Sequence, residues 1–177
     1  MPDIDRLFRT FHQPLVRYLT RRLGDRDWAE EVAQNTFLRA LRQETIVSER
    51  AWLFAVATNL VRDDARKAAR QRRHLDLLRE QARAEEAVDP EPLEVERAEE
   101  AAVARRALEC LGERDREALL MREEGLDYHE IAAALELSVG SVGTTLARAR
   151  RRLVEAYEGL QRGEPARGTA GGHHAAS

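Results

Sequence analysis

The sequence holds a single cysteine, Cys110, in 177 residues. One thiol excludes an internal disulfide and a thiolate cage for a metal. Its neighbours Leu108 and Leu111 predict that it is buried. There is no signal-peptide pattern and no apolar run long enough to cross a bilayer, so a cytoplasmic protein without membrane insertion is expected. No stretch has the apolar–polar alternation of a half-buried strand, and no internal repeat is found. The sequence also lacks a carboxylate pair, a nucleophile motif, a phosphate-cradling glycine loop and a metal cluster, so neither enzyme chemistry nor a cofactor is predicted. Charge of one sign is missing too. With 29 Lys+Arg against 32 Asp+Glu the net charge is -3, and bulk charge does not advertise nucleic acid.

The distribution of charge does. Arg62 to Arg73 contains six cations (Arg62, Arg66, Lys67, Arg70, Arg72, Arg73) against Asp63 and Asp64. Glu80 to Glu100 contains nine acids against Arg83 and Arg97. Such segregation carries more information than the sum. Pro90 and Pro92 break helical pattern inside the acidic stretch, and like charges repel, so a flexible linker is expected there. The fold class predicted is all-α: two small helical domains joined by an acidic linker. We place the domains at 1–75 and 99–160, the linker at 76–98 and a disordered tail at 161–177. In that tail His173 and His174 are read as solvated, not as metal ligands.

In the first domain, Ile4, Leu7, Phe8 and Phe11 form an apolar face. Pro14 is able to start a second helix, which Leu15, Leu19 and Leu23 continue and Gly24 ends. Asp27 and Glu30 have capping-box spacing ahead of Trp28, Val32, Phe37 and Leu41, with Ala33 and Ala40 alongside. Ser48 is placed to cap a further helix whose stripe is Leu53, Val56, Ala57 and Leu60. Trp52 and Asn59 lie seven apart on that helix, so they share a face, and the basic run follows. An aromatic ring beside amides and cations can hold an unstacked base against a charged backbone. Spacing alone favours the alternative, with Trp52 in the core and Asn59 merely exposed.

The second domain begins with a helix striped by Ala101, Ala104, Leu108 and Leu111 and stopped at Gly112. Another follows, burying Ala118, Leu119 and Met121 and ending at Gly125. Asp127 and Glu130 then make a capping box, and Ile131, Ala132 and Leu135 form one face of a short helix. After Glu136 to Ser138, Ser138 is positioned to cap a longer helix striped by Val142, Leu146, Ala149 and Leu153. Two short helices, a tight turn and a longer second helix read as a helix-turn-helix. Ser141, Thr144, Thr145, Arg148 and Arg152 are three or four apart and are predicted to line its outer side, with Arg150 and Arg151 flanking. Hydroxyls followed by cations suit a major groove. For the arginines by themselves, a solvated basic end remains the alternative.

These stretches resemble a known family. Glu113-Arg-Asp-Arg-Glu-Ala-Leu, Gly125-Leu-Asp-Tyr-His-Glu-Ile-Ala and Leu146-Ala-Arg-Ala-Arg-Arg-Arg-Leu153 are similar to the promoter-reading C-terminal domain of extracytoplasmic-function (group IV) sigma factors of bacterial RNA polymerase. Ala29-Glu-Glu-Val-Ala-Gln-Asn-Thr-Phe-Leu-Arg-Ala-Leu41 resembles that family's polymerase-binding helix. Arg50-Ala-Trp-Leu-Phe-Ala-Val-Ala-Thr-Asn-Leu60 with the basic run resembles its promoter-melting helix. The resemblance covers roughly residues 3 to 158, with its three motifs in order.

The resemblance implies a sigma factor that binds core RNA polymerase and directs promoter-specific initiation. Glu31, Gln34 and Asn35 would dock on the clamp coiled coil. Trp52 and Asn59, with the loop near Gln43 to Arg50, would face a flipped base of the minus-ten element. Arg62, Arg66 and Lys67 would hold its phosphates. The second domain would sit on the flap of the beta subunit, and Ser141, Thr144, Thr145 and Arg148 would read the minus-thirty-five element, with Arg122 on a phosphate. An anti-sigma factor is an implied partner. The chain departs from the family where Gly143 and Thr145 stand in place of common cations, Asn35 in place of an acid and Gly112 in place of a proline. The competing class is a stand-alone helix-turn-helix regulator, which would bind its operator without polymerase. A helical adaptor that binds no DNA is a third.

Overall fold

The computed structural model describes residues 1–75 and 92–164, with side chains over 1–68 and 96–164. Every regular element among them is helical. In order they are α1 (Ile4–Leu23), α2 (Arg26–Ala40), α3 (Glu49–Leu75), α4 (Pro92–Glu109), α5 (Glu113–Glu123), α6 (Tyr128–Leu135) and α7 (Val139–Gln161). They form two compact units, residues 1–96 and 97–177.

In the first unit α1 is one helix, with Pro14 inside it. Asp3 starts it by accepting from the Arg6 amide at 3.0 Å. Gly24, at φ 73°, ends it in the left-handed region that glycine enters without strain. A proline in a helix interior removes one ladder bond and crowds the preceding turn. Here the buried row Leu7, Leu15, Val16, Tyr18 and Leu19 runs across Pro14 and outweighs that cost, so no second helix starts. The cap of α2 also differs from the sequence expectation. Asp25, not Asp27, accepts from the Trp28 amide at 3.0 Å. Glu30 is drawn instead to His12 of α1, 3.1 Å away.

The core joins α1, α2 and α3. Ala29, Val32, Ala33, Phe37 and Ala40 meet Leu53, Phe54, Ala57 and Val61, all buried. Each such large side chain contributes on the order of 1.5–3 kcal/mol. Tyr18 packs on Phe54 at 5.1 Å between ring centroids, and its hydroxyl lies 2.7 Å from the buried Thr58 hydroxyl. An Arg6–Glu49 ion pair ties α1 to the first turn of α3. Leu41, expected in the buried stripe, is instead 44% exposed just beyond α2.

Residues 92–98, expected as linker, open α4. Pro92 takes its first position, where the missing amide would have had no intrahelical partner anyway. Its expected stripe holds only at the C-terminal end: Leu111 is buried and Leu108 half-buried, but Ala101 and Ala104 are exposed, and Ala107, not expected, is buried. Among the described side chains of α4, the one buried residue, Ala107, lies near its end. Cys110 is partly exposed, its thiol donating to the Arg106 carbonyl at 3.2 Å. The bulk of the acidic stretch, the cations Arg70, Arg72 and Arg73, and His173 and His174 lie outside the described side chains.

The rest of the second unit packs Ala118, Leu120, Met121, Leu126, Ile131, Leu135, Val142 and Leu146 together. Its key local device is present. The Glu130 amide donates to Asp127 at 2.8 Å and the Asp127 amide to Glu130 at 2.9 Å, a complete capping box on α6. Glu136 ends α6 at φ 54°, a conformation in which a non-glycine residue is strained. Ser138 holds the N-cap position of α7, but its hydroxyl caps nothing. Its carbonyl accepts from the Ser141 hydroxyl at 2.8 Å instead.

Candidate nucleic-acid interface

Three exposed faces, on α2, α3 and α7, carry most of the candidate residues. On α2 the buried row Val32, Ala33, Thr36, Phe37 and Ala40 leaves Glu31, Gln34 and Asn35 on the solvent side. Leu38 joins them, 56% exposed, and Leu41 extends the ridge. Sequence reasoning did not single out Leu38. The signal was its place one heptad after Glu31, outside the apolar stripe. A polar ridge that also shows two leucines suits contact with a protein more than with a polyanion.

On α3, burial of Leu53, Phe54, Ala57, Thr58 and Val61 leaves Asn59 exposed. Trp52 is half-buried, so its ring is shared between core and surface. Arg66 and Lys67 are exposed and Arg62 is half-buried. Trp52, Asn59 and Arg66 fall at intervals of seven along one side of the helix, with Arg62 a turn from both. The structure therefore gathers all five candidates onto adjoining faces. Among the described residues Arg66 pairs with Asp63, 3.8 Å away and exposed, a pairing of little energetic weight.

On α7 the arrangement differs from the sequence expectation. Thr145 is buried, at 5% exposure, and is not part of an outer face. It follows Val142 by three and precedes Ala149 by four, so it shares their inward side. Arg148 and Arg152 lie on the flank towards α5. The Arg148 Nε donates to Asp115 Oδ2 at 2.9 Å and its Nη2 to Oδ1 at 2.5 Å. Arg152 Nη1 stands 3.5 Å from the same carboxylate. Asp115 is itself buried. Its hydrogen bond pushes the Arg148 guanidinium above its ordinary value, against a smaller opposing effect of burial. Both arginines still keep about two fifths of their side-chain surface, 40% and 43%.

The outermost line of α7 is Gly140, Thr144, Ala147 and Arg151, all exposed, with Ser141 and Gly143 half-exposed beside it. Sequence reasoning named Thr144 and Ser141 but passed over Ala147 and treated Arg151 as a flank. Small side chains ahead of a band of arginines let a helix approach base edges closely while cations reach the backbone. Arg122, at the end of α5, is partly committed. Its Nη1 donates to the Leu126 carbonyl at 2.8 Å, and its guanidinium lies over the Tyr128 ring at 5.6 Å. It thereby braces the turn into α6, where Gly125 takes φ 85°. Among the described residues no group of His, Cys, Asp and Glu is placed to hold a metal, and no helix is long and apolar enough to cross a membrane.

Comparison with known proteins matches these two units separately. Residues 7–71 match the model of sigma-70 region 2, and residues 102–153 that of sigma-70 region 4. The chain is 34% identical over 148 residues to the ferric citrate uptake sigma factor FecI of Escherichia coli, covering 81% of this chain and 84% of FecI. It is 31% identical over 158 residues to the ECF RNA polymerase sigma factor SigE of Mycolicibacterium smegmatis, covering 86% of this chain and 61% of SigE. Among solved structures, the sigma factor RpoE in complex with the anti-sigma factor NepR from Bartonella quintana superposes with a TM-score of 0.67 at 23% identity. That likeness covers 89% of this chain and 98% of that one, and shows the shared fold.

Proposed function

The chain belongs to the extracytoplasmic-function sigma factors of bacterial RNA polymerase, and from that membership we propose how its exposed faces divide the work of promoter-specific initiation. The observation that carries the proposal is the occurrence of region 2 and region 4 in order on one chain, each with an exposed polar face. Residues 1–75 bind core polymerase and open the promoter, residues 99–160 read it upstream, and 76–98 joins them. Glu31, Gln34 and Asn35, with Leu38 added, meet the clamp coiled coil.

Asn59 and Trp52 receive a base of the minus-ten element once it leaves the stack, since a half-buried ring offers one face to a base while its other edge is fixed by the core. Arg62, Arg66 and Lys67 hold the neighbouring phosphates. The second unit rests on the beta flap. Thr144 and Ser141, with Ala147, face base edges of the minus-thirty-five element, while Arg148, Arg151 and Arg152 contact its backbone. Arg122 reaches a phosphate from the turn it braces. Thr145 supports α7 from inside. The chain performs no bond-making step, works in the cytoplasm and is held in check by an anti-sigma factor, as the fold-related RpoE chain is seen with one.

Run-off transcription from fragmented genomic DNA, with core polymerase present and the chain added or omitted, tests the reading. Discrete new starts that require the chain are expected. Specific DNA binding by the chain alone, with no association with core, would overturn it in favour of a stand-alone regulator.

A further inference from the structure

We propose that Asp115 is a positioning residue for promoter contact: it aims Arg148, and with it Arg152, at one phosphate region beside the reading face of α7. The inference rests on the upstream reading of α7 given above. Three observations carry it. The carboxylate is buried in the first turns of α5, yet it accepts from a surface helix at a separation of 33 residues in sequence. It takes Arg148 in a two-point fork, through Nε and Nη2, which fixes the guanidinium plane as well as its place. The Nη1 nitrogen is left out of the fork, and two fifths of the side chain remains in solvent. A guanidinium has five N–H donors, so a carboxylate that takes two leaves three for another anion.

The charge count decides between aiming and hiding. Two cations face one anion, so the cluster keeps a net positive charge where α7 meets solvent. A free arginine on a helix surface samples many rotamers, and ordering it on binding costs affinity. Asp115 meets that cost during folding. Simple electrostatics predicts the reverse effect of removing the acid: the site gains positive charge, and DNA binding tightens with a steeper dependence on salt. The two accounts therefore differ in sign.

The test uses the full chain in holoenzyme with core polymerase, on promoter DNA recovered by run-off transcription. Footprint affinity at the upstream element is measured across a salt series for Asp115→Asn, Arg148→Lys, Arg148→Ala and the Asp115→Asn/Arg148→Ala pair. Positioning predicts a loss of about three- to tenfold for Asp115→Asn, the factor expected for freeing one long side chain. It also predicts that Arg148→Lys loses nearly as much as Arg148→Ala although its charge is kept, because lysine cannot fill the fork. The paired variant should be no weaker than Arg148→Ala alone. If Asp115→Asn does not fold, the lysine variant still tests the proposal, because full affinity there overturns it. Tighter binding by Asp115→Asn with a steeper salt slope, or full affinity in Arg148→Lys, overturns the proposal while leaving the reading of α7 intact. An unchanged upstream footprint in Arg148→Ala removes that reading and the proposal with it.

Discussion

Gly143 offers a test in which stability and DNA affinity can be moved separately at one position. It is the fifth residue of α7 and is half-exposed beside Thr144. A Cβ built there meets only Tyr128 Cε2, at 3.6 Å, an ordinary van der Waals contact. Nothing in its surroundings requires glycine. Gly143→Ala should therefore recover most of the helix-interior penalty, about 0.5–1 kcal/mol. For a unit of this size that corresponds to a rise in melting temperature of roughly 2–8 °C. Gly140→Ala, with nothing within 4 Å of its Cβ but only the second residue of the helix, should gain less.

Both tryptophans, Trp28 and Trp52, lie in the first unit. A transition seen by far-ultraviolet circular dichroism but not by tryptophan fluorescence consequently reports the second unit. Gly143→Arg adds a cation on the same side. If that side faces DNA, the logarithmic salt slope of upstream binding should steepen by about 0.9 for one new phosphate contact. A lower melting temperature for Gly143→Ala would refute the packing argument. An unchanged slope for Gly143→Arg would show that this edge of α7 does not face the backbone.

Three further outcomes are expected. Asn59→Ala should slow promoter opening, followed by permanganate reactivity of unpaired thymines, more than it weakens binding to core; equal loss of both would remove Asn59 from base contact. Tyr18→Phe should cost the first unit about 1–2 kcal/mol in denaturant unfolding followed by tryptophan fluorescence, because the Thr58 hydroxyl stays buried when its partner at 2.7 Å is deleted; no change in the midpoint would mean that this pair adds nothing. Glu136→Gly should stabilise the second unit by on the order of 0.5–1 kcal/mol by relieving the left-handed strain at φ 54°, and a destabilised unit would count against that account.

Much of this fold was legible in the sequence because it depends on short-range rules. Apolar residues at helical spacing located the helices, Asp127 and Glu130 located the start of α6, and Gly24 and Gly125 marked ends where the backbone turns left-handed. The order of motifs sufficed to place the chain in its family, and Asn59 was correctly read as outward-facing. What the sequence left open depended on partners far along the chain. Asp25 and Asp27 are both N-cap residue types, and it is Asp25 that caps α2 while Glu30 pairs with His12 of α1. Pro14 reads as a helix start until the packed row across it is seen. Thr144 and Thr145 are one residue apart and chemically identical, yet one faces solvent and the other the core. A helix turns about 100° per residue, so residues at the edge of an apolar stripe have no side of their own until a neighbour packs against one. Here α5 is that neighbour. It brings Asp115 to Arg148 and Arg152, and so only the tertiary structure decided which arginines are held in a fixed direction.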